Sequence, residues 1–228
     1  MSPKLRIGFL LVFALRASAI DTGAAQRLTD SAQVITEIMG ASDKAIPSSL
    51  FQKSYCVVVI PNMLKAGFVV SAKYGRGYAS CRLPSGSGWS APGGMRVEGG
   101  GVGLQAGGSA TDIVMLVMSK KGMQGMMASK FTLGGEVSAA AGPVGRDVTA
   151  QTDATMRADI LSWSRSRGVF AGISLQGGTL RPDTDVNATL YGARATNKAI
   201  LTGEVKPTPD AIKFLDEIAK YGGTRQNK

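Results

Sequence analysis

The chain has 228 residues, 26 Lys and Arg against 16 Asp and Glu, a formal net charge of +10 and no histidine. The missing imidazole removes Ser–His and Cys–His nucleophile activation, together with the commonest general base and metal ligand. The basic residues are dispersed, Lys120-Lys121 being the only adjacent pair, so no nucleic-acid partner is expected and the excess reads as solubility charge with a mild attraction to anionic surfaces.

In chain order, Lys4 and Arg6 precede an apolar run from Ile7 to Leu15, and Ala17-Ser18-Ala19 forms an A-x-A site. That is the pattern of a signal peptide over residues 1–19, and the run is too short for a spanning helix of about 20 residues. Ile20 rather than a cysteine follows, so no lipoprotein anchor is expected. Removing residues 1–19 from 228 leaves 209, and losing Lys4, Arg6 and Arg16 lowers the formal charge from +10 to +7. The expected product is a single exported domain over 20–228, in the periplasm or the medium, free or peripheral on a membrane.

Residues 24–40 read as an amphipathic helix, with Ala24, Leu28, Ala32, Ile35, Ile38 and Met39 on one face and Gln26, Asp30, Gln33 and Glu37 opposite. Gly40 is a natural stop, and Pro47 opens a short helix to about Ser54. From Tyr55 the texture becomes strand-like. Val57–Ile60 is bounded by Pro61-Asn62, and Phe68–Ala72 and Tyr78–Leu83 flank Gly75-Arg76-Gly77, which reads as a hairpin turn. Ile113–Met118 is a strand buried on both faces, and Ser119 caps a short methionine-rich helix. Phe131–Ala140, Ile160–Trp163 and Val169–Leu175 complete the strands. Thr208 and Pro209 open a C-terminal helix with Ile212, Leu215, Ile218 and Ala219 on one face. So many glycines inside strands point to bulges, bends and close backbone approach. The expected fold is α+β, a strongly curved, barrel-like antiparallel sheet covered by N- and C-terminal helices.

Cys56 and Cys81 are the only cysteines, 25 positions apart in strand-like segments. In an exported chain they form a disulfide, worth roughly 3.5 kcal/mol in the chain-entropy treatment; the alternative is two buried thiols in adjacent strands. Gly101–Ala106 fits G-x-G-x-x-A but lacks a βαβ setting, and Asp183–Asn187 starts like a calcium loop without its glycine or its final glutamate. Asp183 and Asp185 read as turn and cap residues before acid–base groups. No catalytic residue, metal site or cofactor is expected.

Several blocks recur in a fixed order: Ile46-Pro47, Lys65-Ala-Gly-Phe68, Arg82-Leu83-Pro84, Gly88-Trp-Ser-Ala-Pro92, Thr111-Asp112, Thr132-Leu133-Gly134, Gly142-Pro-Val-Gly-Arg146, Ser166–Gly177, Asn187, Tyr191-Gly192 and Ile200-Leu201-x-Gly203. Over about residues 25–221 they resemble the SYLF domain, a lipid-binding module. The resemblance implies a non-catalytic protein whose partner is phospholipid or an anionic membrane surface of the cell envelope. The alternative is a structural or protein-interaction module with an envelope protein partner and no lipid ligand.

In eukaryotic members of that family, phosphoinositide recognition is attributed to basic residues on an N-terminal amphipathic helix. Here residues 24–44 hold two basic residues (Arg27, Lys44) and three acidic ones (Asp30, Glu37, Asp43). Apolar insertion of Leu28, Ile35, Ile38 and Met39, or an acyl-chain pocket in the curved sheet, therefore has to carry binding. Lys65, Lys73 and Arg76 would assist at about 1 kcal/mol each. The competing role for the apolar stripe is docking on the sheet. Arg165, Arg167 and Arg146 would contact a head group or pair internally with Asp112, Glu136 or Asp147.

Overall fold

The computed structural model describes residues 15–41, 46–67, 70–102, 107–144, 157–166 and 169–223. Helix α1 (Leu15–Gly40) and the short α2 (Ser48–Lys53) precede strands β1 (Cys56–Gly67), β2 (Val70–Cys81), β3 (Gly93–Val102) and β4 (Gly107–Val117). Helix α3 (Lys120–Met127) leads to β5 (Phe131–Thr132), β6 (Ala139–Ala141), β7 (Ile160–Ser166), β8 (Val169–Gly172) and β9 (Thr179–Pro182). The chain ends in α4 (Thr184–Tyr191), α5 (Asn197–Leu201), a 3-10 turn (Pro209–Ala211) and α6 (Ile212–Gly222).

Among the described residues the strands form one curled sheet in the order β5-β9-β3-β2-β1-β4-β7-β6, with β8 beside β7. All pairings are antiparallel except β6–β7. The first and last strands of the path are consecutive in sequence, joined by residues 133–138, so the chain itself links the two margins of the curl. The α+β, barrel-like expectation is met.

Strand alternation sorts the apolar residues into two cores. Val58, Ile60, Met95, Val97, Ile113, Met115, Ile160 and Leu180 fill the inside of the curl with Met126 of α3 and Leu201 of α5. Val57, Val59, Tyr78, Val114, Leu116, Leu161 and Trp163 face outward, beneath α1, α2 and α6. That side of the sheet is thus packed core. Cys56 and Cys81 stand directly opposite in the β1–β2 register and are disulfide-bonded.

Four local readings are corrected. Pro61-Asn62 does not end β1; the strand continues through it as a bulge, with the register shifting between Ile60 and Met63 and Asn62 at φ 51°. A residue without an amide hydrogen is tolerated where the ladder is interrupted. Gly75-Arg76-Gly77 is not a turn but mid-strand in β2. A Cβ on Gly77 would lie 1.9 Å from the Val59 carbonyl oxygen, and one on Gly75 2.5 Å from Ile60 Cγ2, so these glycines admit the bulged β1. Phe131–Ala140 is two short strands separated by a turn at Gly134 (φ 82°). In α6 the buried stripe is Phe214, Ile218 and Gly222, following the buried Ala211 of the 3-10 turn, while Ile212 is 54% exposed. Packing of the bulky Phe214 sets that rotation, and Gly222 abuts Trp89, where a Cβ would be 2.5 Å from the ring. Thr208 caps by position only, with no side-chain hydrogen bond.

Candidate functional site

The apolar stripe of α1 packs on the outer sheet face. Leu28, Ile35 and Ile38 are fully buried and Met39 is half-buried against the same core. The polar face is laced by i,i+4 hydrogen bonds from Gln26 to Asp30 and from Gln33 to Glu37. At one end Tyr78 donates to the Ala24 carbonyl (2.9 Å). Burial pushes that phenol up to about 12, with the nearby Arg27 opposing. At the other end Arg165 pairs with Glu37 and donates to Asp112 at 2.9 and 2.7 Å. Asp112 also accepts from the amide of Asn62 in the bulge (2.9 Å). Arg165 therefore joins α1, β4 and β7, the internal pairing the sequence suggested; Arg146, Asp147 and Arg167 lie outside the described residues.

Arg82 of the Arg-Leu-Pro block is equally structural. It donates to the carbonyls of Gln52, Ser54, Gly222 and Gly223 and stacks 4.4 Å from the Trp89 ring centroid. One guanidinium thereby satisfies the C-terminal carbonyls of α2 and α6.

The helices leave part of the outer sheet face uncovered. Past the bulge, Leu64 and Tyr74 are cross-strand partners, 57% and 45% exposed. Lys65 and Lys73 oppose each other on the other face of the same two strands. Ala66, Ala72, Gly108, Ser109 and Ala110 are also exposed, so this end of β1, β2 and β4 meets solvent on both faces. Next to Tyr74 on the outer face lies Arg76, which grips Asp183 at 2.5 and 2.9 Å. That hydrogen bond, against the cost of burial, holds the guanidinium more firmly protonated than usual. Asp183 caps α4 through the Val186 amide (3.5 Å), as its turn position implied. A cleft of about 270 Å³ opens beside Arg76, lined by Gly23, Ala24, Arg27, Asp185, Val186 and Thr189.

Two residues that the sequence reading did not single out complete the surface. The registers place Arg96 opposite Arg76 and Arg181 opposite Arg96, forming a row of three arginines across β2, β3 and β9. Glu98, one row away, pairs with both Arg96 and Arg181. Their only sequence signal was alternation within short strands, since the row exists only once β3 and β9 are paired. Among the described residues no group of three His, Cys, Asp or Glu is placed to hold a metal, and no helix is long and apolar enough to cross a membrane.

The Ysc84 profile, described as "Las17-binding protein actin regulator", matches residues 98–221, from β3 to α6 and more than half of the chain. The chain belongs to the Ysc84 family. Its SYLF-like blocks run through the same fold, and similarity extends well beyond the profile. Protein YSC84 of Saccharomyces cerevisiae is 33% identical over 217 residues, 93% of this chain and 46% of that protein. LAS seventeen-binding protein 3 from the same yeast is 32% identical over 197 residues, 85% of this chain and 42% of that protein. Human SH3 domain-containing YSC84-like protein 1 is 32% identical over 177 residues, 77% of this chain and 51% of that protein. The chain therefore spans about half the length of the Ysc84 relatives it matches.

Proposed function

We propose that this Ysc84-family chain is an exported, non-catalytic module that binds phospholipid surfaces in the cell envelope. The observation that carries the reading is the exposed Leu64–Tyr74 pair beside the cross-strand Lys65–Lys73 pair at one end of the β1–β2 ribbon. An end-on approach brings both faces of the ribbon to the membrane. Two lysines contribute about 1 kcal/mol each near anionic lipid, and burying Leu64 about 1.5–3 kcal/mol. The sum, less the cost of association, fits reversible peripheral attachment. The buried disulfide suits an oxidising compartment.

The ribbon is the favoured contact in this reading, since the large apolar side chains of α1 are committed to the core. Sedimentation with phosphatidylglycerol-containing vesicles tests it: Leu64→Ser/Tyr74→Ser should lose most vesicle binding while keeping the melting temperature. Undiminished binding by that folded variant would defeat the ribbon mechanism.

The second reading is a module for an envelope protein partner, favoured by the names of the relatives, which refer to Las17 binding and SH3 domains. Native mass spectrometry of the purified protein separates the two. Co-purifying phospholipid supports the first; a clean apo mass together with no vesicle binding supports the second.

A further inference from the structure

We infer that Arg96 and Arg181 form an oxyanion site on the outer sheet face that accepts a phosphate group. The inference rests on the membrane reading only for the source of that phosphate. The two side chains project from adjacent strands β3 and β9 in direct register, on the face opposite the buried Met95, Val97 and Leu180. Adjacent strands stand about 4.8 Å apart, so the two guanidinium groups are held close together despite their like charge. Arg76, on the far side of Arg96, is committed to Asp183.

Arg96 and Arg181 share a single carboxylate, Glu98, which leaves one positive charge in surplus. Their bonding is also incomplete. The Nε of Arg181 has no hydrogen-bond partner, and the Nε of Arg96 lies 3.2 Å from Glu98 Oε1 without hydrogen-bond geometry. Both Nε atoms are buried, while side-chain exposures of 28% and 37% leave the remainder of each side chain accessible from solvent.

Two like-charged forks opposite one another repel, and a planar guanidinium fork matches phosphate oxygens two at a time. A phosphate bridging the solvent-accessible parts of Arg96 and Arg181 would relieve the repulsion. Tyr74, the cross-strand partner of Glu98, and Leu64 beyond it set an apolar margin one row away. A phosphate carrying an apolar remainder therefore meets both kinds of contact on one face. Glu98 acts as the internal competitor, occupying the site until phosphate displaces it.

The probes are inorganic phosphate, glycerol 3-phosphate, and phosphatidylcholine vesicles with and without phosphatidylglycerol. In the wild-type protein the soluble phosphates should shift the Nε–H resonances of Arg96 and Arg181. Arg96→Gln/Arg181→Gln should weaken attachment to the anionic vesicles by about tenfold. Lys130→Gln/Lys213→Gln, which removes the same charge from exposed positions elsewhere, should leave attachment within about twofold. Glu98→Gln should tighten phosphate binding, a gain that a purely structural role for these side chains does not produce.

Equal losses in the arginine and lysine variants, unmoved Nε–H resonances, or no gain from Glu98→Gln would each overturn the site. The two readings fail separately. Soluble phosphate bound at the arginines, with no vesicle attachment, removes the membrane reading and keeps the site. Vesicle attachment equal in wild type and Arg96→Gln/Arg181→Gln removes the site and keeps the membrane reading.

Discussion

The outer face of the sheet is one surface with two fates. Over Val57, Val59, Tyr78, Val114 and Leu116 it is sealed by α1 and α6; past the bulge, over Leu64, Tyr74, Arg96 and Arg181, it lies open. Both halves belong to the same strands and obey the same alternation. The difference lies in where the helices end, and it separates residues that hold the fold from residues able to meet a partner. An apolar residue on an amphipathic helix is therefore no guide to membrane contact until its partner face is known.

The sharpest way to break this contrast is to place a charge in each half. Ile35→Asp puts an unpaired carboxylate in the sealed half and should cost about 4 kcal/mol or more, abolishing the cooperative thermal transition. Leu64→Asp in the open half should change stability by no more than about 0.5 kcal/mol. Comparable losses would mean that the ribbon end is covered in solution. Reducing the Cys56–Cys81 bridge, buried at the sealed end of the same two strands, should lower stability by about 3.5 kcal/mol in denaturant titrations with and without reductant.

Glycines sharpen the contrast further. Gly77→Ala drives a methyl against the Val59 carbonyl and should cost about 1–3 kcal/mol by denaturant unfolding, whereas Gly108→Ala, with its nearest neighbour atom at 4.0 Å, should be close to neutral. Arg165→Gln leaves Asp112 with only the Asn62 amide and should cost about 1–3 kcal/mol, loosening the α1 end that carries Glu37 in hydrogen exchange.

The smallest effect is a pH dependence. Burial pushes the Asp159 carboxyl up, but hydrogen bonds from the Ser119 and Ser138 hydroxyls and the Ser138 amide outweigh it, so the net shift is downward. Its contribution is complete above the unfolded carboxylate value of about 4 and is lost as pH falls through the lower folded value. Asp159→Asn should flatten the acid limb of the stability curve in that range and leave neutral pH little changed beyond the lost contacts.

What could be read from the sequence followed from period and punctuation. The α1 stripe, the buried β4 run, the Ser119 cap, the Asp183 cap and the cysteine pair all rest on local signals, and each is where those signals put it. Pro61-Asn62 and Gly75–Gly77 misled because turn residues and bulge residues are the same types; only the facing strand distinguishes them. The arginine row was invisible for a deeper reason. Arg96 and Arg181 become neighbours through a register between strands far apart in the chain, and no local pattern encodes that.

The arrangement of β9 has a consequence for how the molecule is made. Among the described residues, β3 and β5 are joined in the sheet through the four residues Thr179–Pro182, with Gly177 and Gly178 adding hydrogen bonds to Leu133. A nascent chain released up to β8 would hold a gaping sheet with two bare margins, prone to stick to its neighbours. Such distant pairing also favours slow closure, so the late-synthesised clasp is where a chaperone would have most to protect.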